Sequence, residues 1–442
     1  MPQSSVFFVG SAAEVAHHVQ PLRARIDLQI VAPDDVARIA KPGDVAIFFS
    51  EHFDRFRECS RILSDQSVAT IYAIDGILEW RNAWENRPDE PACPWTMRPA
   101  LAHKVACIGR HQSRILRDWG NGENIEVVGL PRLDELVANG EFQSNRAPHV
   151  EGPFRLLVMT AKWPGFTPEQ VARTLGSLRD LRDWLGKHPT LNGQPIEVIW
   201  RLTRGLEKEL EVCNTLSETN GNELTEILSR VNAVVTTPST AMLEAMLHGL
   251  PTASLDYHDV PSYVQPAWTI GHAGAIGPVL AGLHNPPANR MHFQRMLLRD
   301  ELECAGSAAS RMATLIQQMQ VVAAECLREG RALSFPAGLL PLEPCEKTEL
   351  PATELFSQHA AFRETDPRRL QAELAHARRE IASLQSQIEQ LQGELGQAHT
   401  IFDQINRHPI AGPVVRLRQK LIEKFGQWSV QKAKLESLKK SQ

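Results

Sequence analysis

The 442-residue chain has no apolar run approaching the ~20 residues that a bilayer-spanning helix requires. Its first ten residues show no basic stretch ahead of an apolar core and no cleavage pattern, so no secretory leader is expected there. Cysteine is sparse: Cys59, Cys93, Cys107, Cys213, Cys304, Cys326 and Cys345 form an odd, scattered set without a CxxC pair. That excludes a zinc ribbon and a disulfide framework and fits a reducing compartment, so a cytoplasmic protein is expected. With 27 Gly and 29 Pro the chain is neither collagen-like nor of low complexity. Three decisive motifs are missing too: GxGxxG after the first strand, GxxxxGK[ST], and HExxH. Their absence weighs against dinucleotide oxidoreductases, P-loop NTPases and zinc hydrolases.

What remains is a globular composition, 43% apolar and 22% charged, long enough for two or three domains. The net charge of -5 hides a split: from Arg407 onward nine Lys/Arg face two Asp/Glu, so the preceding residues carry -12. An acidic body argues against nucleic-acid binding.

Short, nearly all-apolar runs recur at Val6–Gly10, Ile26–Val31, Asp44–Phe49, Ala69–Ile74, Lys104–Gly109 and Ile125–Leu130. Runs without alternation, separated by helix-length segments, predict parallel strands covered on both faces, hence a doubly wound α/β domain over residues 1–140. After the polar stretch 141–152 the alternation restarts, with strands at Arg155–Thr160, Ile196–Leu202, Ala233–Thr237 and Pro251–Tyr257. Helices are expected at Pro168–Gly186, Asn222–Arg230 and Thr240–Gly249, and a helical pattern over Arg290–Arg328, giving a second α/β domain over 153–330. Residues 331–367, with five prolines, read as a linker.

In the segment 368–406, Leu370, Leu374, Ala377, Ile381, Leu384, Ile388, Leu391, Leu395, Ala398, Phe402 and Ile405 alternate spacings of 4 and 3. That repeat predicts a left-handed coiled coil, with Glu373 and Arg378 at g and e positions compatible with a parallel homo-oligomer; a single helix docked on the body is the alternative. The segment 407–442 sets Val414, Leu417, Leu421, Phe425 and Trp428 at helical spacing among eight lysines and arginines, from Arg416 to Lys440. A helix of this kind suits an anionic membrane surface, which would place the protein on the inner face of the membrane; it equally suits packing on protein.

The segment most informative about chemistry is Ala233–Leu255. A strand ends at Thr237, and Pro238-Ser239-Thr240 opens a helix that runs to Gly249. Ser or Thr at such an N-cap leaves backbone N–H groups at a dipole-positive end, an anion site that suits a diphosphate, with Glu244 one turn along for a ribose hydroxyl. A plain strand–cap–helix unit fits the same residues.

Strand, Pro-Ser-Thr, Leu-Glu-Ala and His-Gly-Leu-Pro together resemble the nucleotide-binding segment of GT-B glycosyltransferases. The branch in question holds CDP-glycerol glycerophosphotransferases, capsular polysaccharide transferases and the non-hydrolysing UDP-N-acetylglucosamine 2-epimerases. Val128-Gly129-Leu130-Pro131-Arg132-Leu133-Asp134 resembles the turn that closes the N-terminal domain in that branch. The resemblance covers roughly residues 1–330 and implies two Rossmann-like domains. It implies a glycosyltransferase that uses a nucleotide-sugar as substrate, without a cofactor, and a glycan or lipid-linked acceptor in surface polysaccharide or glycoconjugate assembly. No Asp-x-Asp stands where a metal-dependent transferase would need one, so no metal is expected. Two departures matter: Ile74-Asp75-Gly76 stands where glycerophosphotransferases carry His-Gly, and Trp200-Arg201-Leu202-Thr203 keeps a cation but loses His-Pro. They favour sugar transfer with a carboxylate base over the alternative, an alditol-phosphate transferase on the same fold. A catalytically inactive scaffold is a third reading.

The site residues expected on these grounds are Asp75 as general base, or merely a turn residue, and Ser239, Thr240, Glu244, Arg201 and Lys162 around the donor nucleotide. Glu79, Arg81, Asn82 and Asp256 are expected around the acceptor or sugar. His17 and His18 are read as surface or packing residues.

Overall fold

A computed structural model of the chain describes residues 4–51, 54–79, 97, 99–140, 152–165, 167–213, 221–258, 262–264 and 266–341. Beyond them, only residues 385, 388, 392 and 393 are described, all helical, so the heptad segment and the basic tail otherwise lie outside the described residues.

Six strands, β1 (Val6–Val9), β2 (Gln29–Val31), β3 (Val45–Phe48), β4 (Ala69–Ala73), β5 (Lys104–Cys107) and β6 (Ile125–Val127), pair in parallel in the order β2-β1-β3-β4-β5-β6. β1, β3 and β5 are buried at every residue, which is why their sequences do not alternate. Helices α1 (Ala12–Val19), α2 (Pro33–Ile39), α3 (Asp54–Asp65), α4 (Arg110–Leu116) and α5 (Asp134–Asn139) connect them. α1 starts at a capping box: the Ser11 hydroxyl accepts from the Glu14 N–H while the Glu14 carboxylate accepts from the Ser11 N–H at 3.0 Å.

The second sheet runs β12-β11-β10-β7-β9-β8, from β7 (Phe154–Met159), β8 (Thr190–Leu191), β9 (Gln194–Arg201), β10 (Ala233–Thr236), β11 (Thr252–Leu255) and β12 (Trp268–Ile270). Its helices are α6 (Pro168–Lys187), α7 (Leu206–Leu210), α8 (Gly221–Arg230), α9 (Ala241–Leu247), α10 (Ile276–His284) and α11 (Ala288–Glu301), and α12 (Ala308–Arg328) follows them in the chain. All pairs are parallel except β8–β9, a hairpin turned by Asn192 and Gly193, both at positive φ (53° and 84°), as a two-residue hairpin loop requires. In each sheet the strand order reverses once, between β1 and β3 and between β7 and β10. Such switch points open a crevice at the C-terminal ends of the strands.

The structure corrects two boundaries. The helical pattern over 290–328 is two helices, broken at Leu302–Ser307 where Gly306 takes φ 80° and Ser307 caps α12. α12 packs in the core of the first sheet: Met312, Leu315, Ile316 and Met319 meet Val6, Phe8, Val45 and Ile47. The second domain, expected to run to 330, therefore hands its last helix back to the first. The residues that follow are no free linker either. Leu333, Phe335, Leu339 and Leu340 join the same core, and the strap is anchored by a buried ion pair. Lys104 Nζ lies 2.9 Å from Glu126 Oε1 and donates to the Pro336 carbonyl at 2.6 Å; Glu126 accepts from the N–H groups of Leu339 and Leu340.

Where the domains touch there is no room for a side chain. A Cβ on Gly109, at the start of α4, would stand 2.1 Å from the Glu301 carbonyl oxygen at the end of α11. Gly109→Ala is expected to lower stability by about 1–3 kcal/mol, the usual cost of overpacking a tight contact. Gly176→Ala, in the middle of α6 with open space around it, is expected to raise stability by about 0.5–1 kcal/mol. Urea unfolding of the two variants checks both signs.

Candidate functional site

Loops leaving the C-terminal ends of β4, β6, β7 and β10 converge between the two sheets. Asp75 stands two residues past β4, Arg132 in the turn after β6, Lys162 in the loop after β7, and Thr240 and Glu244 at the start of the helix after β10. The β4 loop is held by Gln112, whose Nε2 donates to the Gly76 carbonyl at 2.9 Å while its Oε1 accepts from the Ile108 N–H. The β7 loop is held by threonines. The Ala161 N–H donates to Thr237 Oγ1 at 2.7 Å, and Thr203 Oγ1 donates to the Ala161 carbonyl at 2.7 Å. These buried hydroxyls tie the ends of β7, β9 and β10 together and fix the base of the Lys162 loop.

Asp75 and His18 face each other, His18 Nε2 lying 4.0 Å from Asp75 Oδ2. Protein crowds Asp75 from both domains although its side chain, 55% exposed, opens into the crevice. The loss of solvation raises its carboxyl above the usual carboxylate range, and the positive charges of Arg132 and Lys162 hold that rise in check. His18 is nearly buried, with its ring against His17, Phe49 and Phe8. Burial first, then the nearby His17, Arg132 and Lys162, bring its pKa down to about 3, so it is a neutral imidazole at physiological pH. The Asp75 contact is therefore between a carboxylate and a neutral ring, not an ion pair. His17 shifts downward for the same reasons.

Two contacts cross between the domains beside this pair. Arg132 Nη1 lies 2.6 Å from Glu244 Oε1, both side chains largely covered. The Ile77 N–H donates to Thr240 Oγ1 at 3.2 Å, so close an approach that a Cβ on Gly76 would meet that hydroxyl at 2.0 Å.

Of the residues expected around the donor, Thr240 and Glu244 lie in this cluster and Lys162 acts on Asp75, while Ser239 stands just past β10 and Arg201 at the end of β9. Thr240 is the N-cap of α9, but its backbone is helical (φ -62°, ψ -25°) and its hydroxyl does not cap its own helix; it serves the Ile77 N–H, which the domain contact would otherwise leave unpaired. Glu244 is engaged by Arg132 rather than open to solvent. Ser239 stays half-buried, its hydroxyl 3.4 Å from that of Thr236. Arg201 ends β9 in register with Met159, at the same sheet edge as the Lys162 loop. Lys162 is exposed.

Among the acceptor residues, Asp256 is engaged within its own loop. Its Oδ1 accepts from the His258 N–H at 3.0 Å and faces His258 Nδ1 at 2.8 Å, and His258 Nε2 lies 3.2 Å from the Gln170 carbonyl. That carboxylate fastens its own loop to α6. Glu79 is half-buried in the segment after β4; Arg81 and Asn82 lie outside the described residues. His18, read as a surface or packing residue, is one member of the cluster that sequence reasoning missed, and Arg132, read only as part of a motif, is the other. Spacing carries no sign that a histidine late in α1 meets the end of β4, because that meeting is set by packing of distant segments. Among the described residues no group of three or more His, Cys, Asp or Glu side chains is placed to hold a metal ion. No helix among them is long and apolar enough to cross a membrane.

Two doubly wound sheets, joined at their strand ends and clasped by a last helix that returns to the first sheet, define the architecture. The fold is GT-B-like. No protein-family model matches the chain, and no curated protein matches it. Among solved structures, the chain is similar to a putative UDP-N-acetylglucosamine 2-epimerase from Listeria monocytogenes. The identity is 12% and the TM-score 0.49, over 76% of this chain and 100% of that one. It is also similar to a variant of the wall teichoic acid polymerase TagF (13%, TM-score 0.45, 74% of this chain and 90% of that one). A third is the UDP-GlcNAc 2-epimerase from Methanocaldococcus jannaschii in complex with UDP-GlcNAc and UDP (11%, TM-score 0.47, 71% and 99%). The likeness is in the course of the chain.

Proposed function

We propose that the protein is a glycosyltransferase that takes a sugar from a nucleotide-activated donor in the assembly of a bacterial surface polysaccharide or glycoconjugate. The observation that carries this reading is the cluster itself. A carboxylate with a raised pKa, Asp75, opens into the crevice between two Rossmann-like sheets, with the cations Arg132 and Lys162 beside it. In this reading Asp75 takes the proton from the acceptor hydroxyl, and Lys162, Arg201, Ser239 and Thr240 face the diphosphate whose charge grows as it leaves. Glu244 turns to the ribose, and Glu79 with Arg81 and Asn82 borders the acceptor. The reaction so drawn calls for neither cofactor nor metal. The heptads of 370–405 would pair two copies, and the basic tail would set them against an anionic membrane surface where lipid-linked acceptors lie.

One observation favours a second reading, an alditol-phosphate transferase. His18, supplied from α1, reaches the place beside Asp75 where glycerophosphotransferases, as the resemblance implies, carry their histidine on the β4 turn itself.

The test is a thermal-shift series with UDP, GDP, CDP and CMP on the full chain. A nucleotide at 100 times its dissociation constant should stabilise the native state by about 2.7 kcal/mol. Stabilisation by none of the four would overturn both readings. Subsequent consumption of CDP-glycerol rather than a nucleotide-sugar would decide for the second.

A further inference from the structure

The contacts that occupy Thr240 and Glu244 point to how the crevice takes an anion. Arg132 Nη1 and Glu244 Oε1, 2.6 Å apart, join the first domain to the second, and both side chains are mostly covered, 22% and 14% exposed. One helical turn before Glu244, Thr240 accepts from the Ile77 N–H. Two carboxylates, Asp75 and Glu244, and two cations, Arg132 and Lys162, therefore share a small volume with no net charge. A diphosphate entering the crevice would meet a cation already neutralised by Glu244.

We infer that Arg132 is a diphosphate ligand held in reserve, and that Glu244 is the internal carboxylate the incoming diphosphate displaces from it. An Arg fork pairs with either oxyanion in the same geometry, so the exchange swaps one charge-assisted contact for another. Displacement does two things at once. It leaves Arg132 on the departing diphosphate and frees Glu244, on the same helix face as the Thr240 contact, for a second part of the ligand. The affinity for a diphosphate is lowered by the fraction of molecules in which the Arg132–Glu244 pair is closed. The inference shares with the proposed function only the premise that a diphosphate enters this crevice.

The experiment is calorimetric titration of the full-length chain with inorganic pyrophosphate, which has no ribose, and in parallel with UDP, GDP and CDP. Wild type, Glu244→Gln, Arg132→Lys and Arg132→Gln are compared after their melting curves are shown to be cooperative. With pyrophosphate, Glu244→Gln is expected to bind roughly 10-fold tighter than wild type, because the competitor is gone. Arg132→Gln is expected to bind at least about 10-fold weaker, and Arg132→Lys in between, keeping charge without the fork. Arg132→Lys alone carries the comparison if Arg132→Gln does not fold. Binding by the Arg132 variants equal to or tighter than wild type would overturn the inference. So would a Glu244→Gln chain no tighter than wild type, or pyrophosphate binding by neither of these two. Pyrophosphate results as expected with no nucleotide bound would uphold the diphosphate site and sink the nucleotide-sugar reading.

Discussion

Replacing Asp75 by Asn is expected to lower turnover at saturating donor by roughly 10²–10⁴-fold while nucleotide affinity and the melting curve stay near wild type. The substitution keeps shape and turn chemistry after β4 and removes only the basicity. The pH profile supplies a second readout. Solvation loss raises the Asp75 carboxyl, so the acid limb of kcat/KM should lie above the usual carboxylate range. Lys162 is one of the charges holding that carboxyl down, so Lys162→Met should move the limb further up, as a base whose anionic form has lost support must. His18, near 3, stays neutral across the same range and contributes no limb of its own. Near-normal turnover of Asp75→Asn with saturating donor would reduce Asp75 to a turn residue.

The largest effect on stability is expected at Lys104. Its ammonium is fully buried (0% exposed) against Glu126 (2%) and two backbone carbonyls. Lys104→Met would leave the Glu126 carboxylate buried without its cation, at a cost of about 3–5 kcal/mol, read from the urea midpoint at unchanged slope. The double change Lys104→Met with Glu126→Gln should recover much of that loss, because no uncompensated charge then remains. Since Glu126 also receives the Leu339 and Leu340 N–H groups, the single variant should open the strap at 331–341 to proteolysis before the rest of the domain unfolds. A loss under about 1 kcal/mol would show that the pair is not what anchors the strap.

The sequence on its own determined the alternation of strands and helices, because a buried parallel strand must be apolar on both faces and runs this short, between helix-length segments, are too brief for a buried helix. It determined that Asp75, Lys162 and Thr240 stand a few residues past strand ends, because each follows an apolar run closely. It carried less about short elements: β12 offers only three residues of pattern, and β8, which has two, was missed although Asn192-Gly193 marks its hairpin. Tertiary structure alone decided that α12 belongs to the first sheet, because an amphipathic helix of that composition fits any apolar face and only the returning chain selects one. It alone decided that Asp256 serves His258, that Glu244 serves Arg132 and that Thr240 serves Ile77. It also brought His18, 57 residues earlier in the chain, to Asp75. A carboxylate or hydroxyl in a sequence is a set of unfilled hydrogen bonds. Which partner fills them depends on distances between segments far apart in the chain, and those distances exist only once both cores have packed.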